Sequence, residues 1–420
     1  WPSSGWKKKL TPFYEKAKQM LGAVPAEYEG ETDKILKDCA DYMGRGSSYK
    51  KVDVGVYFGK PGETADDPFF GGKGPSRSGC TLCGGCMVGC RYNAKNTLDK
   101  NYLYLAEKLG VEILPEQEVQ NICPLKDGGY QITIRKSTGV NRPTQKLQAH
   151  KVILSGGVMG TVKLLLQCRN RGSLKNISPR LGDYVRTNSE AIIGVKLKKN
   201  PQKDFSKGIA ISAGFHPDEK THIETVRYGK GQTAMALLTT LLSDRKIPLP
   251  GLIRWGISVI RAPLQFIANF FPFNWARKTI ILLVMQPIDN YLKLNYKPRW
   301  WRLGGFSMNS QSSTGKKIPS HIPIGEKTAH TIMSKTGGTI LTTYMDSIFD
   351  IPTTAHILGG ACLGKNKDSG VIDENFEMFN YPGMYVIDGS VVPANLGVNP
   401  SLTITALAEY AMSQFPVSTK

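Results

Sequence analysis

The hydrophobic positions of this chain follow two periods, which together predict a mixed α/β fold. Apolar residues at helical spacing predict helices over residues 1–22, 98–108, 159–168 and 402–412. Short apolar or alternating runs predict strands at 111–114, 131–135, 151–154, 191–197, 280–286, 292–296 and 384–387. The strands at 151–154 and 384–387 lead through glycine-containing loops into helices, which is typical of α/β units. The alternating patterns between residues 191 and 294 predict a second lobe that is rich in sheet.

Four cysteines stand at the spacing Cys80-x2-Cys83-x2-Cys86-x3-Cys90. Thiolates at such intervals can converge on one soft metal ion or on an iron–sulfur cluster. Three features count against this: the chain has no second cysteine run, Arg91 rather than proline follows the last cysteine, and the other four cysteines are single and scattered. The alternative is a tight glycine-rich loop with free or locally paired thiols, so we assign no metal ligand from the spacing.

Two glycine-containing turns follow predicted strands, although the chain contains no G-x-G-x-x-G dinucleotide-binding motif. Gly156 and Gly157 follow one strand, where a bare backbone can approach a ligand closely. Asp388 ends the C-terminal strand, at the edge where α/β sheets bind ligands; the alternative for it is a local Asx-turn. A loop then brings Asn399 and Pro400 to a helix N-terminus, which suits an anion or an electron-rich ring edge.

His356 is the one histidine of the six with a conspicuous setting, in the string AHILGGACLG. The glycines leave room for another molecule beside the imidazole, which is the natural general base near neutral pH. A structural role is the alternative for any single histidine. The serine-hydrolase, zinc-protease and P-loop motifs are absent from the chain, which removes the classes of enzyme that these motifs define.

The composition describes a protein with a sizeable core and a basic surface. The chain has 420 residues, 40% of them hydrophobic, and 54 lysines and arginines against 34 acidic residues give a formal charge of +20. This excess attracts anionic lipid, nucleic acid or acidic ligands. Because the basic residues are spread and no stacking platform is evident, we expect no nucleic-acid partner. No uninterrupted apolar run reaches the ~18 residues of a membrane span, so we expect a soluble or peripheral membrane protein.

Several strings together resemble the glucose–methanol–choline flavin oxidoreductases, in particular their cholesterol-oxidase-like branch. They are AHILGGACLG around His356, MYVIDGSVVPANLGVNPSLTITALAE from Met384 to Glu409, and VILSGGVMGT from Val152 to Thr161. The segments NAKNTLDKNYL from Asn93 and VRTNSE from Val185 are also similar to that branch. The resemblance implies a flavoprotein that binds FAD and oxidises an alcohol, by removing the hydroxyl proton and transferring a hydride to the flavin.

The resemblance also implies roles for individual residues. His356 would be the catalytic base or the partner of the developing oxyanion, Asn399 its neighbour that orients the hydroxyl, and Glu224 the active-site glutamate. The alternative for Glu224 is an ordinary surface carboxylate. Contacts to FAD would come from Val119 at the adenine, Gly156 and Gly157 at the nucleotide half, Asp388 and Gly389 near the pyrophosphate and ribityl chain, and Asn399 and Pro400 at the helix N-terminus.

The family begins with a strand and a G-x-G-x-x-G turn that this chain lacks, so we expect an N-terminally truncated member with an incomplete Rossmann-like FAD domain. The resemblance predicts four segments: the start of the substrate lobe with the cysteine loop (1–95), the middle of the FAD domain (96–190), a substrate-binding domain on a mostly antiparallel sheet (191–352), and a C-terminal part with the histidine and the closing FAD-domain strand and helix (353–420). Two alternatives to this enzyme remain, a non-catalytic lipid-binding remnant and an iron–sulfur or other metal protein built on residues 80–90.

Residues 247–276 are rich in Ile, Leu, Phe, Trp and Pro, and Arg254, Arg261 and Arg277 lie within or beside them. One interpretation is a lid that enters a membrane interface and collects a lipid-like alcohol, either a sterol or a long-chain alcohol. The other is a helix pair that is buried against the sheet. The positive charge of the chain agrees with an anionic lipid surface and leaves both interpretations open.

Overall fold

The computed structural model describes residues 1, 3–198, 204–298, 305–313 and 318–416. Its helices are α1 (Trp6–Leu21), α2 (Glu31–Tyr42), α3 (Tyr102–Lys108), α4 (Gly157–Arg171), α5 (Gly251–Arg261), α6 (Pro263–Phe270), α7 (Trp275–Lys278), α8 (Pro323–Thr336), α9 (Tyr344–Phe349) and α10 (Ser401–Ser413). Its strands are β1 (Val24–Pro25), β2 (Lys50–Lys51), β3 (Asp53–Val54), β4 (Thr64–Ala65), β5 (Arg77–Ser78), β6 (Gln117–Pro124), β7 (Tyr130–Lys136), β8 (Thr144–Ala149), β9 (Val152–Leu154), β10 (Ala191–Lys196), β11 (Ile211–Phe215), β12 (His222–Val226), β13 (Thr239–Leu241), β14 (Thr279–Met285), β15 (Leu292–Pro298), β16 (Phe306–Ser312), β17 (Thr339–Thr343) and β18 (Met384–Val386).

The largest sheet has seven strands in the order β13-β17-β10-β14-β12-β11-β2, and every neighbouring pair in it is antiparallel. Strand β14 lies in the middle of this sheet and is buried at every position, which explains its unbroken apolar string TIILLVM. Alternate residues of β14 pack with α2 and α8 on one face, and with Trp275 and Ala236 on the other. These two layers also cover the neighbouring strands β10 and β12.

A second core surrounds α4 and the parallel pair of strands β9 and β18. Helices α1 and α10 pack against each other beside this pair, where Trp6 is buried against the rings of Phe376 and Tyr410. The antiparallel sheet β6-β7-β8 covers another side of α4. Because β9 and β18 are parallel, the loops that follow them share one edge of the sheet. The fold is therefore mixed α/β with mostly antiparallel sheets, as the sequence predicts.

Two local predictions differ from the structure. Residues 111–114 form no strand; Ile113 and Leu114 are exposed, and an apolar run without a partner strand and a buried face has nothing to stabilise it as a strand. The helix predicted over residues 98–108 is a 3-10 turn followed by α3. The reason is local, since the side chain of Asn101 accepts a hydrogen bond from Tyr102 N at 2.6 Å and starts a new helix there.

The other predicted strands are confirmed, with ends that shift by one or two residues. The helices predicted at 1–22, 159–168 and 402–412 are confirmed as α1, α4 and α10, although α1 begins at Trp6. The domain boundaries at residues 95, 190 and 352 stay predictions. In the described part of the chain, no helix combines the length and the apolar character that crossing a membrane requires.

Candidate active site

His356 lies in the irregular segment after α9, and a buried carboxylate holds its ring. Its Nδ1 hydrogen-bonds Oε1 of Glu190, which directly precedes β10 and whose side chain is 0% exposed. The backbone N–H of Ala355 donates to the other oxygen of this carboxylate at 2.6 Å. The histidine side chain keeps 18% of its surface exposed, so Nε2 is the ring nitrogen that another molecule can reach.

Asn399 stands at the end of the loop before α10, and a second buried carboxylate orients it. Its Nδ2 donates to both oxygens of Glu224, at 3.0 and 2.9 Å. Glu224 belongs to β12 and is 2% exposed, and Nε2 of His222 lies 3.0 Å from its Oε1. Because an ionised carboxylate only accepts hydrogen bonds, this contact turns the amide so that Oδ1 points away from Glu224. Oδ1 of Asn399 is buried and has no partner within the described residues.

Asn188 joins these two pairs. Its Nδ2 donates to the carbonyl oxygen of Val398 at 3.0 Å, one residue before Asn399, and lies 3.5 Å from Oε1 of Glu190. Its Oδ1 accepts from two backbone N–H groups of the same loop, at 3.1 and 2.8 Å. Asn188 and Ser189 have φ angles of 57° and 44°, a strained conformation that the surrounding hydrogen bonds maintain. The structure thus connects the His356–Glu190 pair to the Asn399–Glu224 pair through Asn188 and the loop before α10.

Glu190 and Asn188 are not predicted from the sequence as site residues. Their string VRTNSE enters only as one of the segments that resemble the flavin oxidoreductases. A signal is nevertheless present, because the four polar residues TNSE directly precede the apolar strand β10, and all four are buried. Buried polar groups at the entrance of a core strand need partners, and such a run is a candidate for a polar network.

A cavity of about 300 Å³ opens beside Asn399 and the start of α10. Much of its wall is aliphatic, with side chains that include Val54, Val56, Ile209 and Ile211. Such a cavity suits an apolar molecule that places one polar group near the amide.

The predicted FAD residues at 156–157 and 388–389 lie around the ends of β9 and β18. Oγ1 of Thr161 links the two ends, since it accepts from Gly156 N at 3.0 Å and donates to Oδ2 of Asp388 at 2.5 Å. The other oxygen of Asp388 accepts from the N–H and the hydroxyl of Ser390, at 2.8 and 2.5 Å. This is the local turn that the sequence leaves open as the alternative for Asp388. The carboxylate therefore shapes the loop at the sheet edge.

The first turn of α4 presents bare backbone to open space. A Cβ added at Gly157 or Gly160 would meet no atom within 4 Å, and Gly157 has a φ of +67°, which favours glycine. A Cβ at the buried Gly389 would lie 3.2 Å from Ile404, so glycine serves close packing there. Val119 is half-buried on β6, next to a bulge in that strand. A parallel strand pair with an uncovered helix N-terminus fits the pyrophosphate-binding half of a dinucleotide site.

Pro400 is buried directly before α10, and its carbonyl oxygen accepts a hydrogen bond from Ile404 N at 2.9 Å. It therefore begins the helix beside Asn399, as the sequence predicts. Among the described residues, no group of three or more His, Cys, Asp or Glu side chains is arranged as the ligand set of a single metal ion.

Two family models described as GMC oxidoreductase match this chain, one over residues 75–183 and the other over residues 319–408. A cholesterol oxidase of Mycobacterium tuberculosis is 42% identical to it over 422 residues, which cover 98% of this chain and 72% of that protein. A cholesterol oxidase of Acinetobacter baumannii is 40% identical over 425 residues, which cover 99% of this chain and 76% of that protein. The chain belongs to the GMC oxidoreductase family.

Two solved structures share the fold at low sequence identity. A pyridoxine 4-oxidase from Mesorbium loti has a TM-score of 0.57 and 11% identity, and covers 93% of this chain and 71% of its own. An FAD-dependent oxidoreductase from Chaetomium thermophilum has a TM-score of 0.53 and 13% identity, and covers 93% of this chain and 72% of its own. The prediction of an FAD-dependent alcohol oxidoreductase is confirmed by the family, and FAD is the cofactor.

Proposed function

We propose that this protein oxidises the hydroxyl group of a sterol or a sterol-like lipid alcohol. The observation that carries the proposal is the pair of buried carboxylates that hold His356 and Asn399, next to a cavity with largely aliphatic walls. The similarity to two cholesterol oxidases over nearly the whole chain supports a sterol as the substrate. A long-chain alcohol stays the second candidate, because aliphatic walls suit both molecules.

In the proposed mechanism, His356 accepts the hydroxyl proton. An alcohol is about as weak an acid as water, so its ionisation at neutral pH needs a positioned base and a stabilised oxyanion. The Glu190 carboxylate accepts the hydrogen bond from Nδ1–H, which leaves the lone pair on Nε2 free to take the proton. The same carboxylate then stabilises the imidazolium. Bound FAD supplies the acceptor for the hydride.

Asn399 is proposed to stabilise the negative charge that develops on the alcohol oxygen. Its Nδ2 lies at nearly equal distances, 3.0 and 2.9 Å, from the two oxygens of Glu224. These distances fit one N–H that is shared by both oxygens, so the second N–H is left to donate to the substrate. An amide donor of this kind holds the hydroxyl oxygen without competing for its proton. Glu224 acts through Asn399 and is a positioning residue.

The substrate assignment is tested by comparing kcat/KM for cholesterol, a long-chain primary alcohol and isopropanol with the flavin-loaded protein in detergent micelles. We expect cholesterol to exceed both by at least about tenfold, because its rings fill an aliphatic cavity better. Mass spectrometry identifies the ketone product. A higher kcat/KM for the long-chain alcohol would replace the sterol as the proposed substrate. A folded, colourless protein without turnover would support the alternative of a non-catalytic, lipid-binding remnant.

We also propose that α5 and α6 form a membrane-contacting lid. Their inner side packs on the sheet edge, where Trp255 Nε1 donates to Thr240 at 2.8 Å and Asn269 donates to the Thr239 carbonyl at 2.7 Å. The two helices and the residues that flank them expose large apolar side chains: Leu249, Leu252, Ile253, Ile260, Leu264, Ile267, Phe270, Phe271 and Phe273. The inner side of the helix pair thus agrees with helices that are buried against the sheet, and the exposed apolar side chains agree with a lid that enters a membrane interface.

A pair of substitutions that introduces charge on this apolar surface tests the contact. Leu264 and Phe273 are each 77% exposed, so Leu264→Asp with Phe273→Asp leaves the core untouched. We expect binding to phosphatidylcholine vesicles with one quarter phosphatidylglycerol to weaken about 30-fold, since partial insertion of these two side chains is worth about 2 kcal/mol. Vesicle co-sedimentation measures the binding. The matched control is Val140→Asp, because Val140 is fully exposed. Equal binding by the double variant and the control would contradict the lid.

A further inference from the structure

The cysteines of residues 80–90 surround a single cavity, and the assembly around His356 does not use them. Cys80, Cys83, Cys86 and Cys90 all line this cavity. All four thiols are free. Apart from Lys95, the remaining described residues in the wall are uncharged, and they include neither a carboxylate nor a histidine. The donor set is therefore four sulfurs, which soft metals and iron–sulfur clusters prefer.

The backbone of this loop is folded tightly against a neighbouring segment. Gly84 N donates to the carbonyl oxygen of Gly208, and Gly208 N donates to that of Leu82, both at 2.8 Å. Gly84 has a φ of +71°, and a Cβ there would lie 2.1 Å from the carbonyl oxygen of Ser206, so this position requires glycine. Leu82 also adopts a left-handed φ of 56°. A mobile surface loop would not need this anchoring, so the four cysteines are presented in a defined arrangement.

Backbone N–H groups point at two of the sulfurs. Leu82 N donates to Sγ of Cys80, and Ala94 N donates to Sγ of Cys90, both at 3.4 Å. Such N–H···S bonds are among the contacts by which proteins tune iron–sulfur clusters.

Cations lie beside the cluster of thiols. The Arg77 guanidinium lies at the end of the cysteine loop, where its Nε donates to the carbonyl oxygen of Asn93 at 2.9 Å. Arg77 is buried, and Lys95 donates to the carbonyl oxygen of Cys86 at 3.0 Å. A cluster with four thiolate ligands carries a net negative charge, which these cations offset.

We propose that Cys80, Cys83, Cys86 and Cys90 ligate one four-iron iron–sulfur cluster in this cavity. A single zinc ion would draw all four sulfurs to about 2.3 Å from one point. A four-iron cluster instead takes its four thiolates around a larger common centre, and the four cysteines line one common cavity.

The position of Cys90 also removes an argument against a cluster, namely that the sequence has no second cysteine run. In ferredoxins with this cysteine spacing, the fourth cysteine ligates a second cluster. Here the chain has no second run, and Cys90 lines the same cavity as the other three cysteines. All four ligands can therefore serve one cluster, and no proline is needed after the fourth.

The proposed cluster lies next to the cavity of the active site. Cys86, Lys95 and Val56 line the cysteine cavity and also the cavity that Asn399 lines. The inference does not rest on the sterol as substrate, because it concerns residues outside the proposed catalytic assembly.

Iron and acid-labile sulfide analysis tests the proposal. The protein is produced together with iron–sulfur assembly proteins, purified without oxygen and reconstituted with iron and sulfide. We expect about four irons and four sulfides per chain, and a low-temperature electron paramagnetic resonance signal after reduction with dithionite. Stoichiometric zinc without iron, or four reactive thiols without any metal after reconstitution, would each overturn the proposal.

Single substitutions locate the ligands. Cys83→Ser is the first choice, because Cys83 is exposed and the change disturbs the fold least. We expect this variant to retain less than about one iron per chain, whereas Cys123→Ser, on β6 and outside the cavity, keeps the full content. Circular dichroism confirms that both variants fold. Full iron content in a folded Cys83→Ser variant would remove Cys83 from the ligand set and contradict the four-cysteine site.

Discussion

Replacing His356 with alanine is expected to lower kcat about 10³-fold while FAD stays bound. The imidazole is held on Nδ1 by a fully buried carboxylate, and its Nε2 side is accessible, which is the arrangement of a general base. Without the imidazole, the alcohol must give its proton to a water molecule, and the hydride transfer that depends on this ionisation becomes slower. Steady-state kcat with cholesterol and the flavin absorbance per chain measure the two quantities separately.

The matched control is His330→Ala, since His330 is exposed on α8 and we expect an unchanged kcat there. Glu190→Gln keeps an acceptor for the Nδ1 hydrogen bond but removes the charge that stabilises the imidazolium, so we expect kcat to fall about 10²-fold with little change in KM. Loss of FAD from the His356→Ala variant would reassign His356 to a structural role. Turnover near that of the unchanged protein would remove it from the mechanism.

Asn399→Ala is expected to lower kcat about 10²-fold and to change KM by much less. The substitution removes an N–H donor that we place at the alcohol oxygen, where negative charge develops mainly in the transition state. An interaction of this kind contributes more to the chemical step than to binding. Separate determination of kcat and KM with cholesterol checks the prediction, and a raised KM with an unchanged kcat would assign Asn399 to binding instead.

Asn399→Asp provides a sharper comparison because it conserves size. It replaces the N–H donor with a carboxylate directly beside Glu224, and two carboxylates in contact cannot both ionise without a large electrostatic cost. We therefore expect the aspartate variant to lose activity as the pH rises, and to regain part of it on adding Glu224→Gln. A flat pH profile for Asn399→Asp would contradict the contact between the two side chains.

The large-scale organisation follows from hydrophobic pattern and local turn chemistry. The apolar run at 280–286 predicts a strand, and β14 is buried there because β10 and β12 pair with its two edges and both of its faces are covered. The run at 111–114 has similar apolar character, yet it lies exposed without a partner strand. Pattern alone cannot distinguish these two cases, since pairing depends on which strands arrive beside a segment from elsewhere in the chain.

The active-site residues also differ in how far the sequence alone predicts them. His356 and Asn399 are found from the sequence because they lie in strings with a recognisable composition. Their carboxylate partners are 166 and 175 residues away along the chain, so no local pattern connects them. Glu224 is identified only through the family resemblance, and Glu190 and Asn188 not at all.

The sequence by itself determined which reactive groups this protein owns: an imidazole in a glycine-rich setting, an amide at a helix N-terminus and four closely spaced thiols. These are properties of neighbouring residues, which covalent connectivity and backbone preferences set directly. Tertiary structure alone decided which buried carboxylate faces which side chain, and that the four thiols share one cavity. Such contacts join segments far apart in the chain, and only the packing of the complete core brings them within hydrogen-bonding distance.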